Sequence, residues 1–205
     1  MKQRLKTLLA RDAALALLFY VVAAAPLGAQ RGALTLPQNL GEMVDEAATI
    51  VRGRVSSVRL EPHPDFPNLK TVVVTLRVDE VLKGQAGETF TFRQFVWDIR
   101  DRSNAAGYGK AQHLLLLITR PSPYGLSSPV GLEQGRFRIE RGADGRLVAS
   151  NGHENVGLFT DLDQHLTRKG IRLQPELAAK VAEYRAGPVA LDDLRELIRT
   201  MAGVK

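Results

Sequence analysis

The stretch Thr71-Val72-Val73-Val74-Thr75-Leu76-Arg77-Val78-Asp79-Glu80-Val81-Leu82 decides the fold class. Val72, Val74, Leu76 and Val78 share one parity, and Thr71, Thr75, Arg77 and Asp79 share the other. A period of two sends these sets to opposite faces of a pleated strand and is incompatible with the 3.6-residue period of a helix. Lys83-Gly84 then begins a turn.

On the N-terminal side, Thr49 to Leu60 reads as another strand, with Val51, Gly53 and Val55 in phase. A glycine in mid-strand marks a bulge or a sharp coil. Glu61 to Asn68 holds three prolines and reads as a loop. Further upstream, Leu40, Met43, Val44 and Ala47 fall at i, i+3, i+4 and i+7, a short helix that Gly41 weakens and Thr49-Ile50-Val51 ends.

On the C-terminal side, Glu88 to Trp97 reads as a third strand. Phe90 and Phe92 share a face, and Phe95 and Trp97 the opposite one, so the phase slips near Gln94. Asp98 to Gln112 is a polar loop. The unbroken run Leu114 to Ile118, inside His113 to Thr119, predicts a central strand covered on both sides. Pro121 to Pro129 is a loop. Phe137 and Ile139 then alternate with Arg136, Arg138 and Glu140, and Ala143-Asp144-Gly145 turns the chain into Leu147 and Val148. Two helices follow. Pro175 opens one, with Leu177, Val181 and Tyr184 on a face. Gly187-Pro188 separates it from the other, with its stripe of Leu191, Leu194, Ile198 and Met201 and its charges placed to suit the helix dipole.

These elements predict a mainly β protein: an OB-like barrel of five to six strands with a short N-terminal helix and two C-terminal helices. Closure removes the exposed edges that such apolar strands would otherwise present. The expected division is a signal peptide at 1–29, a linker at 30–37, the barrel at 38–160 and a helical extension at 161–205.

The signal rests on Lys2, Arg4, Lys6 and Arg11, the apolar run Ala13 to Ala25, and the small-residue exit Pro26-Leu27-Gly28-Ala29. The run falls short of the roughly 20 apolar residues that a membrane-spanning helix needs. Cleavage near Ala29 is the first reading and an uncleaved anchor the alternative. Cleavage predicts a periplasmic or extracellular protein that keeps no membrane span. With Asp12, the leader supplies three of the six net positive charges, so the basic pI gives little support for a nucleic-acid partner. The chain is 44% hydrophobic and 24% charged, a globular composition. It has no cysteine, which excludes disulfides, thiolate metal sites and a cysteine nucleophile.

Three segments carry a resemblance: Ala47-Ala48-Thr49-Ile50-Val51-Arg52-Gly53-Arg54-Val55, Val72 to Gly84, and Val130-Gly131-Leu132-Glu133-Gln134-Gly135-Arg136-Phe137. Over about residues 40 to 140 the chain resembles a family of uncharacterised secreted bacterial proteins. Their strand pattern is similar to the netrin-type OB module of tissue inhibitors of metalloproteinases. The resemblance implies an OB-like barrel and an exported protein partner, a secreted metalloprotease among them. The N-terminal cysteine by which those inhibitors chelate zinc has no counterpart here. Inhibition would then proceed by occlusion, and changing Gln30 would have little effect.

Residues with chemistry are scattered. Gly131, Leu132, Gln134, Gly135 and Phe137 read either as a binding loop at a barrel rim or as a tight crossover in which the glycines supply positive φ and Gln134 satisfies backbone groups. His63 lies in a proline-stiffened loop, and His113 opens the most buried strand. Asp161 and His165 stand at i and i+4, a half-set of metal ligands without a second pair; helix-start acids and a surface histidine are the alternative. His153-Glu154 lacks the second histidine of a zinc helix. Ser127-Ser128 is no nucleophile elbow. Gly107-Tyr108-Gly109-Lys110 precedes a strand and not a helix, so it reads as a turn. Asp98 and Asp101 are too ordinary a carboxylate pair to imply acid/base work. Aromatics make up 6% of the chain, and Phe90, Phe92, Phe95 and Trp97 are assigned to the core, which argues against nucleic-acid binding. The expectation is an exported, non-enzymatic binding module with no cofactor. The rivals are a metal-assisted hydrolase using the Asp161/His165 region and a purely structural envelope protein.

Overall fold

The alternating stretch forms the body of β2 (Lys70–Lys83), whose Val72, Val74 and Leu76 are fully buried. The computed structural model describes residues 35–96 and 105–203. The leader at 1–29, most of the 30–37 linker, Trp97, Asp98 and Asp101 lie outside the described residues.

Around β2 the chain is mainly β: one antiparallel, open sheet of seven strands in the order β3-β2-β1-β4-β5-β6-β7. The other strands are β1 (Thr49–Pro62), β3 (Thr89–Phe95), β4 (His113–Ile118), β5 (Arg136–Arg141), β6 (Leu147–Ser150) and β7 (Val189–Ala190). Four α-helices accompany the sheet among the described residues: α1 (Leu40–Glu46), α2 (Leu162–Arg168), α3 (Pro175–Glu183) and α4 (Leu191–Ala202).

β1 organises the sheet. Thr49 to Arg54 pair with β4 on one side, while Ile50 to Pro62 pair with β2 on the other. Three register shifts bend it, one of them between Arg52 and Gly53, as the mid-strand glycine predicts. A Cβ at Gly53 would stand 2.2 Å from the Arg77 carbonyl oxygen, so only glycine lets β2 approach there.

β4 is covered on both faces, as its unbroken apolar run predicts. Leu114, Leu116 and Ile118 join an interior core with Val51, Val72, Val74, Leu76 and Phe92. Leu115 and Leu117 join the opposite core with Phe137, Leu40 and Met43 of α1, and Leu194 and Ile198 of α4. Five buried aliphatic side chains contribute on the order of 10 kcal/mol.

Three expectations are corrected. The sheet has seven strands, not five or six, and it does not close into a barrel. The strand order leaves β3 and the two-residue β7 as the edges, and no ladder joins them among the described residues. The interior is filled instead by Ala106 and Tyr108 from the β3–β4 connection. One strap approximates closure: after β4, Pro129 bridges Ile118, and the Ser127 N–H donates to the Arg93 carbonyl of β3 at 2.8 Å. Second, three helices follow β6, because the short α2 goes unread. Residues 161–205 also return to the sheet through β7, and α4 packs in the same core as α1. Third, β3 keeps its phase. Phe92, Gln94 and Val96 are all buried, and Gln94 is accommodated because the Tyr108 hydroxyl donates to its Oε1 at 3.1 Å.

α1 follows its predicted period and has a capping box. The Asn39 side chain accepts from the Glu42 N–H, and the Glu42 carboxylate accepts from the Asn39 N–H.

Candidate functional site

Two loops meet at the turn of the β1–β2 hairpin. The first spans residues 63–69 and is stiffened by Pro64 and Pro67, with Pro62 ending β1 before it. The second follows β4 and contains Pro121, Pro123 and Tyr124. His63 pins them together and is only 3% exposed. Its Nδ1 accepts from the Asp65 N–H at 3.2 Å, which makes Nε2 the protonated nitrogen. Nε2 donates to the Tyr124 carbonyl at 2.8 Å. His63 therefore joins loops 61 residues apart in sequence.

Rings cover this pin. Phe66 packs on His63 with centroids 5.2 Å apart and meets Tyr124 edge-on at 5.4 Å. Phe66 remains 45% exposed and Tyr124 60%, and Leu60 beside the loop is 45% exposed. The backbone below is tied down. Ser122 Oγ accepts the N–H groups of Tyr124 and Leu126, and Gly125 takes φ +70° in that turn. Arg93 bonds Glu61 at 2.6 Å and the Thr71 hydroxyl at 2.7 Å, and that hydroxyl donates to the Glu61 carbonyl. The hydrogen bond from Arg93, with a second from Arg59, lowers the Glu61 carboxyl pKa from its ordinary value. The two tied loops thus present two aromatic rings to solvent, beside the exposed Leu60 of β1.

Residues 131–135 lead into β5, half-buried at Gly131, Leu132 and Glu133 and buried at Gln134 and Gly135. Gln134 is 6% exposed; its Oε1 accepts from the Gln38 N–H, and its Nε2 donates to the Leu36 carbonyl and the Thr35 hydroxyl. Its backbone oxygen accepts from the Asn151 side chain. Gly131 and Leu132 both take positive φ. Gly135 does not; a Cβ there would meet the Val130 carbonyl at 2.5 Å. Phe137 is fully buried. The neighbouring Arg136 is buried over the Tyr108 ring at 4.5 Å, donates to the Ala106 carbonyl at 2.6 Å and pairs with Glu133. Burial pushes the Tyr108 phenol far above its ordinary value.

The remaining candidates do not converge. His165 turns to Asp45 at 3.2 Å, where Lys169 also pairs, and packs on Gly41 of α1. Asp161 precedes α2 as its N-cap with φ +53°; its carboxylate accepts from Gln164 at 3.4 Å and its carbonyl from the His165 N–H at 3.0 Å. The alternative expectation of a surface histidine is corrected: His165 is buried, because its ring packs between Asp45 and Gly41 of α1. His113 stands between Asp79 and Arg52, 3.3 Å from each, and burial lowers its pKa. His153 and Glu154 belong to a turn organised by the side chains of Asn151 and Asn155. Among the described residues, no three His, Cys, Asp or Glu side chains stand together as metal ligands, and no helix is long and apolar enough to cross a membrane.

Phe66 and Tyr124 are the residues that sequence reasoning missed. Each sits beside proline in a segment read correctly as a loop, and an aromatic in a proline-rich loop was the available signal. No family model, curated protein or solved structure matches the chain.

Proposed function

We propose that the protein is an exported, non-enzymatic interaction module on a half-open, OB-like sheet, and that it holds an exported or envelope protein against the rim of Leu60, Phe66 and Tyr124. The observation that carries this reading is the exposure of both rings on loops fixed by the buried His63. Aromatic side chains give large contact area for little entropy, and a surface ordered before binding loses less on association. The bent β1, shared between β4 and β2, supports the OB-like description. The charged leader and apolar run support export. A secreted metalloprotease is the partner class that the netrin-like strand pattern favours, held by surface occlusion.

The test is capture from the culture supernatant and envelope fraction of the source cells, using wild-type protein and the Phe66→Ala/Tyr124→Ala variant. Both rings are exposed, so the variant should unfold within about 1 kcal/mol of wild type. A partner retained by wild type should be lost at least tenfold in the variant, since each anchoring aromatic contributes roughly 1–2 kcal/mol to such interfaces. Equal retention by both proteins would remove the rim from the interaction. Co-secreted metalloprotease activity, titrated with both proteins, tests the partner class.

A further inference from the structure

Between α2 and α3 lies a half-open groove of about 500 Å³, within the size range of small-ligand sites. Its floor is apolar, formed by Phe159, Leu166, Ile171, Leu173, Val181 and Tyr184. The Phe159 and Tyr184 rings pack edge-on at 4.8 Å, and the Tyr184 hydroxyl donates to the Gly187 carbonyl. Both rings are therefore fixed as wall and do not fold into the space.

The rim carries two opposite charges. Asp163, in the first turn of α2, and Arg185, just beyond the end of α3, both line the groove. Neither forms an ion pair with the other or with any other described residue. Arg185 uses Nη1 on the carbonyls of Ala182 and Tyr184, which leaves most of its five N–H donors available. A net-neutral rim with separated charges disfavours a ligand head of a single sign, because one rim group always opposes it. It complements a head that carries both signs.

We propose that this groove binds a single-chain zwitterionic amphiphile, with the tail on the apolar floor, a phosphate on Arg185 and an ammonium on Asp163. The site shares no residue with the aromatic rim and goes beyond the function proposed above.

Calorimetric titration with dodecylphosphocholine, held below its micelle-forming concentration, tests this. Dodecyl phosphate and dodecyltrimethylammonium are the controls whose heads carry charge of one sign only. The zwitterion should bind saturably at one site, about tenfold tighter than either control. Arg185→Gln and Asp163→Asn should each weaken it by about tenfold. Ala178→Trp should abolish binding by filling the groove; Ala178→Phe, a smaller intrusion, serves if the tryptophan variant fails to fold. The Phe66→Ala/Tyr124→Ala variant should bind as wild type does, which separates failure here from failure of the rim. Absence of saturable binding, equal affinity for all three amphiphiles, or full affinity in the folded groove-filling variant would each overturn the proposal.

Discussion

Gly41→Ala is expected to destabilise this protein although it improves a helix. In an isolated helix the change gains up to about 1 kcal/mol, because alanine loses less backbone entropy on folding. In α1 the added Cβ would stand 2.5 Å from Cδ2 and 2.9 Å from Cγ and Nε2 of His165. That ring is 7% exposed and holds Asp45 at 3.2 Å, so it has little room to retreat. Overpacking of this kind costs about 1–3 kcal/mol, so the single variant should lose about 2 kcal/mol. His165→Ala should lose a similar amount through the vacated volume. In the double variant the new methyl enters the space the ring has left, and the helix gain returns. Urea unfolding of all four proteins should give a coupling of at least about 2 kcal/mol, with the double variant more stable than either single one. An additive double variant, or a Gly41→Ala protein as stable as wild type, would refute the argument that His165 dictates this glycine.

Arg136→Met should cost about 3 kcal/mol in urea unfolding, combining a charge-assisted bond to the Ala106 carbonyl with the stacking on Tyr108. Glu133→Gln should cost under about 1 kcal/mol, since that carboxylate is half exposed; equal costs would refute this division. His113 gives a pH signature. Burial lowers its folded-state pKa below the ordinary 6.5, with Arg54 and Arg52 adding repulsion against the attraction of Asp79. The unfolded chain then binds its proton first as pH falls, so stability should decline below pH 6.5, and His113→Gln should flatten that segment of the stability profile. Retention of the slope in the variant would assign it to another group.

The elements legible in the sequence are those whose signal is local. The parity of Val72, Val74 and Leu76 and the unbroken Leu114–Ile118 run each place a strand without knowledge of any partner. The failures are tertiary. Gln94 reads as a phase slip because its partner, the Tyr108 hydroxyl, lies 14 residues on. β7 has two residues, too few for a period, and α2 starts at a left-handed Asp161 without a side-chain cap. Gly41 looks like a weak point of α1 until His165 is seen above it. The candidate rim follows the same rule: neither Phe66 nor Tyr124 has meaning alone, and only the His63 bond across 61 residues makes them one surface.

The open sheet bears directly on that surface. In a closed barrel the segment after β4 would be committed to a ladder along β3, with its backbone groups consumed by pairing. Here the strap contributes the Ser127 bond to Arg93, and the interior is covered by Ala106 and Tyr108 instead. That substitution has a conformational cost. Ala105, Ala106 and Ala111 all take positive φ, at about 1–2 kcal/mol per non-glycine residue. Arg136 offsets it by gripping the Ala106 carbonyl and stacking on Tyr108, so a buried cation holds the cover in place. Residues 120–126, which join no ladder, form the tight turn about Ser122 that leaves Tyr124 in solvent.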